Sequence, residues 1–276
     1  MDERYDLHCH STFSDGTMTS SELLHLAKEK NLNGLSITDH DTIMAYDENL
    51  LKLAKDLNLL LIPGVEISSE YKNNNVHILG YNFDIKSKPL KAFLEKVLIQ
   101  RDERNDEILK KLREKNINIT FDELYKYAKE KKKISRSCVG RVHIAMLMLE
   151  KKYVDNFQQA FDLYIKDGAE CYVQGFKNSP KEIIDILHKA GAKASLAHPY
   201  FLKKRKLIEG ILDQGFDAIE VYYARLLLKD EKRYLEMAKK KNLLITGGSD
   251  YHGSIKPYLS LGSSWINEIE LNKLLS

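Results

Sequence analysis

Cysteine is scarce in this 276-residue sequence. Cys9, Cys138 and Cys171 are odd in number and far apart, which argues against a disulfide framework and against a CxxC zinc knuckle. Long apolar runs are missing too: no stretch approaches the roughly 18 residues that a membrane span requires. The opening MDERYDLHCH lacks the basic-then-apolar layout of a secretion signal, so a cytoplasmic location is the expectation. Charge of one sign is not in excess. Lys and Arg number 43 against 40 Asp and Glu, a formal net charge of +3. With no basic stripe interleaved with aromatics, neither stable duplex DNA binding nor an anionic membrane partner is expected. Repeats and low-complexity segments are absent as well.

What is present is an alternation of short apolar or β-branched runs with helical patterns. Residues 5–10, 34–39, 59–66, 76–83, 192–197, 217–222 and 243–249 read as strands, and their spacing by helices predicts an α/β fold with parallel pairing. Thr19 with Glu22 forms a capping box before LLHLAKEK, and Ser179-Pro180 with Glu182 opens IIDILHKA, which ends at Gly191. From 86 to 168 the pattern is helical throughout. This segment is expected to be an inserted helical subdomain between the two parts, 1–85 and 169–276, of the main domain. Ile108, Leu109, Leu112 and Ile117 mark a buried stripe in its densely charged centre. The KEKKK run at 129–133 reads as a solvated helix end, with an electropositive rim near an anionic substrate as the alternative.

The histidines are unevenly placed, and most sit at strand ends. His8 and His10 are two apart on the first strand, so both point to one face, as two ligands of one metal must. Asp15 follows in a loop. His40 ends the second strand in TDHD, Glu66 ends the third in PGVE, and His77 opens the fourth. His198 lies in LAHP, and Asp250 and His252 lie in GSDYH. Strand ends are where the loops of α/β folds gather their sites. The position of His77 at the start of its strand means that this strand runs against the others or that its boundary lies elsewhere. Six imidazoles and three carboxylates without thiolates suit borderline divalent ions such as Zn, Mn or Fe, and nine donors exceed what one or two tetrahedral sites require. Two or three metal ions are therefore expected. His25 and His188, in mid-helix, are expected to be ordinary surface or core residues.

These motifs, DLHCHSTFSDGT, ITDHDT, PGVEIS, HILGY, LAHP and GSDYH, resemble in kind and order those of the polymerase and histidinol phosphatase (PHP) superfamily of metal-dependent phosphoesterases. The resemblance implies a distorted (β/α)7 barrel with a trinuclear site. His8, His10, Glu66 and Asp250 would hold the first metal. Glu66 would bridge to a second, held with His77 and His198, and Asp15, His40 and His252 would hold the third. Manganese is the foremost candidate, with zinc or iron as alternatives. The insertion and its VGRVHIA segment at 139–145 resemble the branch that dephosphorylates nucleoside 3',5'-bisphosphates and trims short 5'-phosphorylated oligoribonucleotides. There Arg141 and His143 would face the metals and bind phosphate. A helix N-terminus opening with Ser137 and Gly140 beside an arginine is also a physically reasonable phosphate clamp. The alternatives are a surface ion pair for Arg141 and a packed helix position for His143. Two departures stand out. AHPG of the family is AHPY here, which makes Tyr200 a further substrate-binding candidate, and the proline that often follows YV is absent from Tyr172-Val173-Gln174-Gly175.

The implied reaction is hydrolysis of a phosphate ester by a hydroxide generated at the metals, attacking phosphorus in line. Arg141 and His143 would bind a phosphate, and His252 would help to protonate the leaving group. The expected substrate is a small nucleotide or short single-stranded RNA. Histidinol-phosphate or general sugar phosphatase activity is the alternative within enzymes, and a non-catalytic binding domain the alternative outside them. Tyr222 and Tyr223 in EVYYAR read as packing first and as base-stacking residues second.

Overall fold

The computed structural model describes residues 3–132, 139–174, 178–202 and 204–276, without the side chains of 131 and 132. Ser137, Cys138, Gly175 and the last residue of the KEKKK run lie outside the described residues. Contacts divide the chain into two units, one of Met1–Phe93 with Lys177–Ser276 and the other of Leu94–Phe176.

The first unit opens with β1 (Tyr5–Cys9), α1 (Ser20–Glu29), β2 (Gly34–Ile37), α2 (Glu48–Asp56) and the two-residue β3 (Leu60–Leu61). These three strands form a parallel sheet in the order β1-β2-β3. A second sheet follows the order of its members: β4 (Gly64–Tyr71), β5 (Asn74–Tyr81), β6 (Lys193–Leu196), β7 (Ala218–Tyr223) and β8 (Leu244–Gly248). The mixed α/β character matches expectation, but the all-parallel pairing does not. β5 is antiparallel to both β4 and β6. Lys72 and Asn73, at φ 50° and 60°, make the tight turn between β4 and β5, and a two-residue connection can join only antiparallel strands. The strand expected over 59–66 is broken into β3 and β4, because Pro63 has no N–H to give to a ladder. The ladders among the described residues thus form two sheets rather than one closed seven-stranded ring.

Isolated bridges tie the margins of the two sheets. Cys9 pairs with Tyr251 and His40 with Glu66, through His10 N–H to Tyr251 O at 2.9 Å, Asp250 N–H to His8 O at 2.8 Å and Asp41 N–H to Glu66 O at 2.8 Å. The close approach of β8 to β1 requires Gly248, where a Cβ would stand 2.4 Å from the backbone nitrogen of His8. Tyr46 secures the other margin. Its buried hydroxyl accepts from Ile37 N at 3.0 Å and Gly64 N at 2.8 Å, and reaches Ile62 O at 2.9 Å. Tyr46→Phe is expected to lower stability by about 1–3 kcal/mol, since it leaves two buried N–H groups without an acceptor; urea denaturation of the metal-free protein checks this.

Helices cover the sheets. In α1, Leu23, Leu24 and Ala27 are fully buried against Leu35 and Ile37 of β2, each leucine contributing about 1.5–3 kcal/mol by leaving water. The expected capping box is present: Glu22 N donates to Thr19 Oγ1 at 3.2 Å, and Thr19 N to Glu22 Oε2 at 2.7 Å. α7 (Pro180–Lys189) has its own, with Ser179 N donating to Glu182 Oε2 at 2.7 Å. The chain leaves this helix through Gly191 at φ 79°, a left-handed conformation that suits glycine. α8 (Arg205–Leu212) and α9 (Leu228–Lys241) connect the parallel strands β6, β7 and β8. α10 (Glu268–Leu275) buries Leu271 and Leu274 with Tyr5, Leu7 and Tyr81.

The described part of the second unit is helical. It contains most of α3 (Lys88–Glu114), with α4 (Phe121–Lys132), α5 (Arg141–Glu150), α6 (Phe157–Ala160) and a π-helical turn at Phe161–Ile165. Ile108, Leu109, Leu112 and Ile117 are buried as the stripe predicts, together with Ile144 and Met148 of α5. Asn105, itself buried, donates to Val139 O at 2.9 Å and ties α3 to the approach to α5. Lys129 and Glu130 are exposed. No described helix is long and apolar enough to cross a membrane.

Candidate metal centre

All nine metal-ligand candidates come together in the first unit. Glu66, 1 % exposed, is the hub. Its Oε2 lies 3.2 Å from His8 Nε2, 3.1 Å from His10 Nε2 and 3.3 Å from His40 Nδ1. Its Oε1 lies 2.7 Å from His77 Nδ1 and 2.9 Å from His198 Nε2. Asp15 faces His252 at 3.3 Å, His10 at 3.6 Å and His40 at 3.8 Å. Asp250 Oδ1 faces His10 at 3.3 Å, His252 at 3.4 Å and His8 at 3.5 Å. Three donor groups, each with its atoms within 4.8 Å of one another, emerge: His10, Asp15, His40 and His252; His8, His10 and Glu66; and His40, Glu66 and His77.

Local backbone geometry explains the convergence. His8 lies on β1 and His10 one residue beyond it; His40, His198, Asp250 and His252 all follow strands. Glu66 and His77 lie within β4 and β5 rather than at an end and a start, and the antiparallel register brings them to one side of the hairpin. Asp250 at φ 53° and His198 at φ 27° hold left-handed backbone, a conformation that Asp and His enter more readily than bulky residues and that concentrates at functional sites.

The fit to cations rests on atoms left without conventional partners. His10 Nε2, Asp15 Oδ1 and His40 Nδ1 are buried and make no hydrogen bond; their neighbours lie close by but off the hydrogen-bonding direction. Such groups are costly unless a ligand satisfies them. Charge tells the same story. Burial opposes ionisation of Glu66, Asp15 and Asp250, yet nearby imidazoles, with Lys256 foremost at Asp250, hold all three carboxyls well below their usual range. Burial also opposes a charge on His8 and His10. The Glu220, Glu66 and Asp250 carboxylates nevertheless hold His8 well above its usual value, and Asp250 and Glu66 push His10 up to about 9. Burial dominates at His40, pushed down to about 3, and lowers His252.

Two supporting residues, Glu220 and Lys256, escaped the sequence reading, and a third, Tyr223, has a role it did not assign. Glu220 on β7 is 1 % exposed; its Oε1 meets His8 Nδ1 at 2.8 Å and its Oε2 accepts from His198 N at 2.6 Å. It orients the His8 imidazole, as carboxylates behind metal ligands do, and fixes the backbone that carries His198. The signal was a lone acid in the apolar strand AIEVYY. Lys256 Nζ and Tyr223 Oη both donate to Asp250 Oδ2, at 2.7 and 2.6 Å, so Tyr223 is a supporting residue rather than simple packing. Tyr200, the substrate-binding candidate, packs at a tilt against Tyr223 with ring centroids 4.7 Å apart. His25 is exposed, and His188 pairs with Asp217 at 2.7 Å on the surface.

Arg141 and His143 stand in the second unit, at the start of α5. Gly140 N donates to His143 Nδ1 at 3.1 Å, which leaves Nε2 to carry the proton of the neutral ring. Arg141 donates to Ile165 O at 3.2 Å and pairs with exposed Asp167 at 3.0 Å. Its guanidinium and that of Arg104 each lie 5.8 Å from the Tyr172 ring centroid. Burial first, then the charges of Arg141 and Arg101, push Arg104 down to about 10. This concentration of positive charge suits an anion.

The PHP domain model matches residues 6–239. A 5'-3' exoribonuclease of Haemophilus influenzae is 34% identical over 258 residues, covering 91% of this chain and 91% of its own. A 3',5'-nucleoside bisphosphate phosphatase of Chromobacterium violaceum is 29% identical, with 90% of this chain and 86% of its own covered. The crystal structure of a protein from Bifidobacterium adolescentis, described as a metal-dependent phosphoesterase, superposes with a TM-score of 0.87 at 27% identity, covering 98% of this chain and 95% of that one. With the motifs from DLHCHSTFSDGT to LAHP inside the matched span and GSDYH just beyond it, the chain belongs to the PHP domain family.

Proposed function

We propose that this chain is a metal-dependent hydrolase that cleaves phosphate esters of small nucleotides, namely nucleoside 3',5'-bisphosphates and 5'-phosphorylated short oligoribonucleotides. The observation that carries the reading is Glu66, whose two oxygens reach five imidazoles, beside three buried polar atoms that lack hydrogen bonds. Two or three divalent ions, manganese foremost, would be held: His8, His10, Glu66 and Asp250 at one, Glu66, His77 and His198 at another, and Asp15, His40 and His252 at a third. Such ions lower the pKa of water to about 7 and neutralise phosphoryl charge. Glu220 fixes the His8 ring, and Lys256 and Tyr223 fix Asp250. His252, with its pKa lowered by burial, is neutral and suited to ligating an ion; to protonate the leaving oxygen it must first take up a proton, so its part in that step is a relay. Arg141 and His143 bind a phosphate, a role supported by the cationic group around Tyr172 and by the names of the relatives.

The distorted barrel belongs to the same proposal. β3 and β4 occupy one place as a broken strand, and the bridges at both sheet margins support closure into a ring of seven positions. The helical segment 86–168 is proposed as a lid limiting substrates to mononucleotides or short single strands, and the cytoplasm as the place of action.

Incubating manganese-loaded protein with 3',5'-bisphosphonucleosides, histidinol phosphate and 5'-phosphorylated dinucleotides, with products identified by mass, tests the substrate class. Fastest release from histidinol phosphate would overturn it. Arg141→Ala is expected to lower kcat/KM about 10- to 100-fold on 3'-phosphoadenosine 5'-phosphate, the scale of a lost hydrogen bond to a charged group. The loss on p-nitrophenyl phosphate, which lacks a second phosphate, should be much smaller; equal losses would favour a generic phosphatase.

A further inference from the structure

Beside the metal centre, within the first unit, lies a cavity of about 390 Å³, a volume in the usual range for small-molecule sites. Four aromatic rings line it: Tyr200, Phe201, Tyr223 and Tyr258. Ring centroids are 4.0 Å apart for Tyr200 and Phe201 and 4.7 Å apart for Tyr200 and Tyr223. Phe201 and Tyr258 are 56 % and 60 % exposed, so two large flat surfaces face water here. Arg225, which also lines the cavity, holds its guanidinium 5.4 Å from the Tyr258 centroid, and its backbone is left-handed at φ 66°. The cavity adjoins the metal centre through two of its lining residues, Tyr223 and Lys256, which both donate to Asp250 Oδ2.

We propose that this cavity is the subsite for the planar base of a nucleotide whose phosphate ester lies at the metal centre, with the rings of Phe201 and Tyr258 as its stacking surfaces. The inference rests on the phosphoesterase reading above and adds the part of the substrate that is recognised. An alkyl chain would gain nothing from the guanidinium that stands beside the exposed ring faces. A base satisfies both features, because every base offers a π-face to aromatic side chains and to arginine. Lys256, which lines the cavity and pairs with Asp250, puts a positive charge between the cavity and the metal centre, where an anionic ester is favoured. Tyr200, which replaces a small residue of the family pattern, supplies the ring that joins Phe201 to Tyr223.

The test compares metal-loaded full-length protein with its Tyr258→Ala, Phe201→Ala and Tyr258→Phe variants. The substrates are a nucleoside 3',5'-bisphosphate and ribose 3,5-bisphosphate, which lacks the base. The ratio of kcat/KM for the nucleotide to that for the baseless analogue is expected to fall about tenfold or more in each alanine variant, chiefly through KM, the scale of one lost stacking contact. Tyr258→Phe, which keeps the ring, should hold the wild-type ratio. An unchanged ratio in both alanine variants overturns the subsite. If wild-type protein releases phosphate from neither substrate, the phosphoesterase reading fails separately. Calorimetric titration with a nucleoside monophosphate and with ribose 5-phosphate then decides the subsite: tighter binding of the nucleotide supports it, and equal binding overturns it.

Discussion

Glu66→Gln is expected to remove nearly all hydrolytic activity, lowering kcat/KM by about 10³-fold or more, with bound metal falling in parallel. The substitution keeps the shape of the side chain and removes its charge. Five imidazoles face the two carboxylate oxygens at 2.7 to 3.3 Å, so the change reaches two of the three donor groups at once. A neutral amide can present one oxygen to a cation but cannot bridge two. Metal ions supply several kcal/mol of charge stabilisation in phosphoryl transfer, and each 1.36 kcal/mol is tenfold in rate, which sets the expected scale at about three orders of magnitude. Elemental analysis of the purified variant and phosphate release under saturating manganese are the two measurements. Full metal content with activity within tenfold of wild type would remove Glu66 from the centre of the mechanism.

Much of this centre was legible because its donors are few in type and fixed in place by strand geometry. His8 and His10 announce themselves by period-two spacing, and His198, Asp250 and His252 by falling just after apolar runs. His77 was informative in a different way: its place near the start of a strand called for a reversed strand or a shifted boundary, and β5 both begins earlier, at Asn74, and is antiparallel to its two neighbours. Other features depend on pairing or on loop paths that local sequence does not encode. Lys256 reaches Asp250 only because the short 3₁₀ turn Gly253–Ile255 folds the chain back. Glu220 is a lone acid whose partner, His8, lies 212 residues away. The break of one expected strand into β3 and β4 was signalled by Pro63, whereas the division into two sheets depends on long-range register. The environment of Arg104 likewise arises from packing, since it requires Arg101, Arg141 and Tyr172 to gather around it.

Metal binding should become stronger as pH rises from about 6.5 to about 9, and should release protons throughout that interval. In the metal-free protein the neighbouring carboxylates keep His8 protonated well above its ordinary value and His10 up to about 9, whereas a ligating imidazole must be neutral. Each ion entering beside these rings therefore displaces a proton, and the observed affinity is expected to rise about tenfold per pH unit for each proton displaced. His40, pushed down to about 3, and His252, also lowered, are already neutral and contribute no such dependence. The stability of the metal-free protein should show the complementary signs. His8 and His10 have raised folded values, so their pairing stabilises fully below about 6.5, the unfolded value, and is lost as pH rises through the folded values, about 9 for His10. Glu66, Asp15 and Asp250 have depressed values, so their contribution is present above about 4 and is lost as pH falls into the strongly acidic range. Manganese titration calorimetry at pH 7 in buffers of different ionisation enthalpy counts the protons directly. Zero release, or an affinity that stays flat between pH 6.5 and 9, would mean that the imidazoles around Glu66 are not the groups that receive the ion.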